Sequence, residues 1–231
     1  MADARHSRAT LVIAIDGPSG SGKSSTSRGV ARRLGLRYLD TGAMYRAVTW
    51  WMLEYGADVE DPAAVGANAD RPVLSLGTDP QSPRIAVDGI DVTRPIRERS
   101  VSNAVSAVSA VPAVRRHLVQ LQRKIIGTGG IVVEGRDIGT VVAPHAPVKI
   151  FLTATSATRA ERRAADLRHD PVASVDVTRA EMNRRDLLDS SRAASPLAKA
   201  ADAYELDTTP YTLDEVVDLI LGIVKERTGV S

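Results

Sequence analysis

The 231-residue chain contains no cysteine, which excludes a disulfide framework and a thiolate metal site. Its four histidines, His6, His117, His145 and His169, are scattered and show no metal-ligand spacing. Long apolar runs are missing as well. The longest uncharged stretch, residues 100–114, is broken by serines and by Pro112, and is too short and polar to span a bilayer. Residues 1–9 are polar, without the apolar core of a signal segment, so a flexible N-terminus and a cytoplasmic protein with no membrane association are expected. Charge of one sign is not in excess either: a formal +2 gives no case for a nucleic-acid partner. The choice of cation is uneven, since only Lys23, Lys124, Lys149, Lys199 and Lys225 of the 30 basic residues are lysines. Either guanidinium forks are wanted for phosphate oxygens, or the source genome prefers arginine codons. There is no internal repeat and no low-complexity tract.

What is present reads as an alternating α/β chain. Residues 11–16 (LVIAID) are a short bounded apolar run of the kind buried in a parallel sheet. A glycine-rich turn leads into 23–34, where Val30, Ala31 and Leu34 recur at helical spacing and Gly35 supplies a stop. Tyr38 and Leu39 predict a second strand ending in Asp40-Thr41-Gly42, and Val48, Trp51, Met52 and Tyr55 a second helix. The pattern changes over about 58–98. Asp61-Pro62 predicts a helix start, 73–76, 84–87 and 90–92 predict short strands, and Asp88-Gly89 predicts a two-residue hairpin turn. Helical runs follow on both sides of Pro112, placed as a first helical residue. Strands resume at 131–134 and 148–152, and Thr178 with Glu181, like Thr212 with Glu215, predicts a capping box. The expected fold is a three-layer α/β domain over 10–231, with a central parallel sheet in a core of 10–57 and 99–231 and an antiparallel insertion at 58–98.

Gly17-Pro18-Ser19-Gly20-Ser21-Gly22-Lys23-Ser24 matches G-x-x-x-x-G-K-[ST], directly after a predicted strand and opening a predicted helix. In a P-loop of this kind, with Ser25 just beyond it, successive backbone N–H groups converge on phosphate oxygens and the helix N-terminus adds positive potential. Lys23 then reaches the β- and γ-phosphates of ATP, and Ser24 offers its hydroxyl to Mg²⁺. The chain has no Asn-Lys pair of the kind a GTPase uses to read its base, and VVEGRD is not an apolar strand ending in the adjacent acids of a motor ATPase.

Arg46 and Arg136 follow predicted strands, at the sheet end where doubly wound folds bind ligands. Arg185, Asp189 and Arg192 share a helical spacing, as do Arg159, Arg162 and Arg163. Two arginine-bearing helices joined by a polar loop at 168–176 read as a short lid over about 156–192, able to exclude water from a phosphoryl transfer.

DGPSGSGKSS, LDTGAMYR, the insertion ending in VSNAVSAVSAVPAVR, VVEGRDIGTVV with APVKIFL, and RRDLLDSSRAASPL occur in order from about 11 to 197. Together they make the chain resemble bacterial cytidylate kinases over nearly its whole length. The resemblance implies a P-loop kinase with an inserted nucleoside-monophosphate-binding subdomain, taking ATP, Mg²⁺ and CMP or dCMP. It implies that Arg46, Arg136 and Arg192 hold the CMP phosphate, with Thr41 and Gly135 beside them. It further implies that Arg185 and Asp189 contact the ribose and that Ser106, Arg115 and Asp137 read cytosine. Thr41 stands where some relatives carry serine, and either hydroxyl serves the phosphate side. Arg162 and Arg163 are the candidates for meeting the transferring group. Asp137→Ala is expected to lose base selectivity more than stability. Kinases of other small substrates (another nucleotide, shikimate, dephospho-coenzyme A) and an ATP-sensing module are the alternatives. No long heptad asks for a dimer, so a monomer is expected.

Overall fold

A computed structural model describes residues 8–166, 174–192 and 194–230. Most of the expected flexible N-terminus, and most of the polar loop expected at 168–176, lie outside these residues. Among them, no helix is long and apolar enough to cross a membrane.

Five strands, β1 (Val12–Asp16), β2 (Arg37–Asp40), β6 (Ile131–Gly135), β7 (Val148–Thr153) and β8 (Tyr204–Asp207), form one sheet in the order β2-β6-β1-β7-β8. Every pairing in it is parallel. The residues of the inner strands β1, β6 and β7 are mostly apolar on both faces because both faces are covered. Three of the four residues of the edge strand β8 are exposed. Ile13, Ile15, Val132, Ile150 and Leu152 pack against α1 (Lys23–Leu34) and a C-terminal helix, Leu213–Thr228. Ala14, Leu39, Ile131 and Val133 face the opposite core, built from α2 (Thr41–Glu54), α4 (Arg99–Ala110) and α5 (Pro112–Ile126). The sheet is therefore the middle layer of three, the expected α/β arrangement.

Between α2 and α4 the chain forms α3 (Pro62–Ala67), capped by Asp61, and a three-stranded antiparallel sheet of β3 (Leu74–Leu76), β4 (Ile85–Val87) and β5 (Ile90–Asp91). Asp88 and Gly89 both have positive φ, 51° and 82°, as a tight hairpin turn between right-twisted strands requires. Asp88 also accepts from Trp51 Nε1 at 2.8 Å and from Val73 N at 2.9 Å, which ties the turn back to α2.

After β7 come α6 (Ser156–Asp166) and α7 (Val175–Ser191), which pack against each other. One sequence expectation is corrected here. Thr178 does not cap α7: the cap is Ser174, whose hydroxyl accepts from Val177 N, and Thr178 is a buried first-turn residue. The serine lies one turn earlier and Asp176 then sits in the first turn, where its charge complements the helix dipole. Glu181 pairs instead with Arg99 at the start of α4. Thr212 and Glu215 form the expected capping box of the last helix, α8 (Leu213–Thr228).

Candidate active site

The loop after β1 lies at the carboxyl end of the sheet, between β6 and β7. Gly17 has φ 148°, and a Cβ there would come 2.2 Å from the Leu152 carbonyl oxygen, so only glycine lets β1 turn this close to β7. Lys23 curls back over the loop, its Nζ donating to Pro18 O at 2.6 Å and lying 3.4 Å from Ser21 Oγ. Burial, then the neighbouring Arg136, lowers the Lys23 pKa, while Glu134 opposes the shift.

Glu134, the last acidic residue of β6, is buried beneath this loop. Ser24 Oγ donates to its Oε2 at 3.0 Å and Tyr38 Oη donates to its Oε1. Burial and Asp40 push its carboxyl up, and Lys23 pulls it back. Among the described residues no group of three His, Cys, Asp or Glu could by itself hold a metal ion. A serine hydroxyl beside one or two carboxylates is nevertheless a hard-oxygen partial shell. It suits Mg²⁺, which keeps several waters and takes further oxygens from phosphates.

A cavity of about 940 Å³ runs from Gly20–Ser25 past Glu134 to Arg46, Arg136, Arg163 and Arg185. Arg136 lies just past β6; its Nη1 donates to Gly17 O at 3.0 Å and its Nε to Asp189 Oδ2 at 3.0 Å, across to α7. Arg46, on α2, donates to Ser102 Oγ at 2.8 Å and Ile96 O at 3.2 Å. Burial, with Arg185 and Arg163 nearby, disfavours its charged form. Arg185 is likewise pushed down to about 10, by burial and then by Arg136. Burial would raise Asp189, but Arg136, Arg185 and Arg192 outweigh it and hold the carboxyl below its usual value. Four guanidinia, those of Arg46, Arg136, Arg163 and Arg185, thus crowd one wall of a cleft, with Asp189 ion-paired to Arg136 among them. Such a wall attracts a phosphate.

Of the three residues expected to read a base, two are in contact. Arg115 on α5 donates through Nη2 to Asp137 Oδ2 in a buried ion pair and through Nη1 to Ser109 O at 3.3 Å. Ser106 lies one turn before Ser109 on α4 and lines a second cavity of about 650 Å³ beside Arg185. The Tyr45 ring lies 5.3 Å from the Arg115 guanidinium carbon, and Arg192 Nη1 reaches Ser109 Oγ at 3.4 Å.

Other expected site residues are engaged in the framework. Thr41 Oγ1 donates to Glu134 O at 2.7 Å and is buried. Gly135 has no room for a Cβ, which would lie 2.6 Å from that same Oγ1. On α6, Arg162 spends both terminal nitrogens on Thr208, at 2.9 Å each, while Arg163 lines both cavities.

The family model described as Cytidylate kinase matches residues 13–226. The chain belongs to the cytidylate kinase family. It is 54% identical over 219 residues to a cytidylate kinase of Streptomyces avermitilis, covering 94% of each chain. It is 52% identical over 230 residues to one of Rhodococcus opacus, covering 97% of this chain and 99% of the other. A solved structure of an uncharacterized protein from Eubacterium ventriosum matches with TM-score 0.52 at 12% identity, over 94% of this chain and 99% of that one. That likeness concerns the fold.

In this member of the family, sequence reasoning passed over Glu134 and Asp16. Asp16 ends β1 and accepts from Ile138 N at 2.9 Å and Gly139 N at 2.8 Å, fixing the turn that carries Arg136 and Asp137. Burial raises its pKa to about 6. Each is an acid closing an apolar strand, and that position at a sheet's carboxyl end was the available signal.

Proposed function

We propose that the chain transfers the γ-phosphoryl group of ATP to CMP or dCMP, giving ADP and CDP or dCDP. The guanidinium wall carries this reading: Arg46, Arg136, Arg163 and Arg185 share one cavity with the P-loop. One phosphate bound in the loop and another bound on that wall would face each other.

The P-loop backbone and Lys23 hold the donor phosphates. Arg46, Arg136 and Arg192 hold the acceptor phosphate, Arg185 and Asp189 the ribose, and Ser106, Arg115 and Asp137 the cytosine. An oxygen of the acceptor phosphate attacks the γ-phosphorus as the bond to the β-phosphate oxygen breaks, and ADP leaves with that electron pair. An ionised phosphate needs no base to attack. Lys23 and Arg163 neutralise charge on the transferring group. Ser24 and Glu134 would hold Mg²⁺, which when bound neutralises phosphate charge. The exocyclic amine of cytosine donates to a carboxylate, whereas uracil presents a carbonyl there. We read 58–98 as the acceptor-binding insertion and 156–192 as the lid. We read the working unit as a monomer, because no long heptad in the sequence asks for a dimer.

The test is ADP release with ATP and Mg²⁺ across CMP, dCMP, UMP, AMP, GMP and dTMP. Turnover concentrated on CMP and dCMP is expected. Turnover on another acceptor would overturn the cytosine assignment while keeping the kinase, and no turnover with any acceptor would overturn the reaction.

A further inference from the structure

Asp186 and Arg159 line neither cavity, yet both hold the P-loop. Ser19 N donates to Asp186 Oδ1 at 3.0 Å, and Arg159 Nη1 donates to Ser19 O at 2.9 Å. Arg159 and Asp186 are also paired with each other, with only 11% and 15% of their side chains exposed. One residue of the loop therefore has its N–H and its C=O taken by the two halves of a single ion pair. One half comes from each lid helix: Arg159 from α6, Asp186 from α7.

The packing around this pair is tight. Gly20 has φ 73°, and a Cβ there would lie 2.6 Å from Met182 Cε on α7 and 2.8 Å from Arg159 O on α6. On the other side, Lys23 Nζ holds Pro18 O at 2.6 Å. The outer lip of the loop, Pro18 to Gly20, is thus gripped by its own lysine from within and by the lid from without.

We propose that Asp186 and Arg159 are positioning residues for the phosphoryl donor, acting through the Ser19 peptide. Charge-assisted hydrogen bonds to both ends of one residue fix its orientation more firmly than neutral ones. The neighbouring loop amides keep their aim at phosphate only while that lip holds its shape. Donor affinity is then tied to the placement of the lid helices, although neither side chain touches the donor. The inference rests on the P-loop holding ATP, as read above.

The test compares KM for ATP with KM for CMP, and Kd for Mg·ADP by calorimetry, in Asp186→Ala, Asp186→Asn, Arg159→Ala and Arg159→Lys. Asp186→Asn keeps an acceptor for Ser19 N–H, and Arg159→Lys keeps a donor for Ser19 O. Leu187→Ala, on the same helix and 68% exposed, is the control. The alanine variants should raise KM for ATP and Kd for Mg·ADP by about tenfold, with KM for CMP within about twofold of wild type. The conservative variants should recover at least half of that loss on a logarithmic scale, and Leu187→Ala should change neither constant. Should an alanine variant fail to fold, its conservative partner is expected to raise KM for ATP by about threefold with KM for CMP unchanged. Donor constants within twofold of wild type in every folded variant would overturn the proposal. So would a parallel rise of both KM values, which would mean general loosening of the lid. Wild-type turnover with CMP tests the reaction separately, and Mg·ADP binding still tests the brace if that turnover is absent.

Discussion

The proposed donor and acceptor halves of the cleft are held together by different means. On the donor side, charged and hydroxyl groups largely meet backbone: Lys23 takes Pro18 O, Arg162 and Arg159 take carbonyls, and Asp16 takes two amides. On the acceptor side, side chains meet one another, and their capacity is not used up. Asp189 is shared among Arg136, Arg185 and Arg192, the latter two at 4.0 Å, beyond hydrogen-bond reach. Arg115 Nε, Arg185 Nε and Arg192 Nη2 are buried without a hydrogen-bond partner. Buried polar atoms of this kind are costly unless something completes them. On the donor side Arg159 Nε, and Ser27 Oγ on α1, are also unpartnered, so the contrast lies in what the groups bond to rather than in how completely they are paired.

The sharpest way to break this contrast is from the donor side. Lys23→Met should lower turnover by roughly 10²–10³-fold, with CMP binding measured by calorimetry nearly unchanged. A matching loss of CMP affinity would mean that the halves are not separable.

Asp16 joins the halves, and its effect is next in size. Its pKa is 3.8 when unfolded and about 6 when folded. Between those values the folded chain binds a proton that the unfolded chain does not. Its contribution to stability is therefore complete below pH 4 and is lost as pH rises through 6, about 3 kcal/mol in all. Urea unfolding of wild type and Asp16→Asn from pH 4 to 7 should show wild type losing about that much relative to the variant. Parallel curves would mean that the carboxyl titrates normally.

The smallest effect sharpens the acceptor side. Asp137→Asn should cut the preference for CMP over UMP by about 10–100-fold, the worth of one paired base contact. An unchanged preference would remove Asp137 from base reading. The structure revises what the alanine variant should do. With Arg115 and Asp137 paired and each about 5% exposed at the side chain, Asp137→Ala leaves a buried guanidinium alone and should cost stability as well, about 3 kcal/mol or more.

The features legible in the sequence were those whose chemistry is local. Asp88-Gly89 dictates its turn, Pro112 and Thr212 mark helix starts, and the spacing around Lys23 defines a phosphate cradle without reference to anything distant. Thr178 misled because two hydroxyls lay within one turn of the start of α7, and the distance to α4 that drew Glu181 toward Arg99 is not written in either segment. Glu134 and Asp16 stayed hidden for a related reason. A strand's sequence shows that it is buried but not which strand lies beside it, and these acids acquire their roles through neighbours about a hundred residues away. Asp186 is harder still, since helical spacing separates it from the Arg185, Asp189 and Arg192 set and only the docking of α7 shows what it meets.

The sheet order has a consequence for the birth of the molecule. β1 lies at the centre of the sheet, yet its partners are β6, with Val12 opposite Ile131, and β7, with Ile13 opposite Val148. As the chain leaves the ribosome, this apolar strand emerges well before either partner and has no neighbour to pair with until roughly a hundred further residues have been made. Its contacts are distant in sequence, which makes closure of the sheet slow and leaves a sticky segment in the open meanwhile. The loop that grips phosphate can take shape only after both flanking strands have arrived, so nucleotide binding would report late and faithfully on whether a newly made copy has folded.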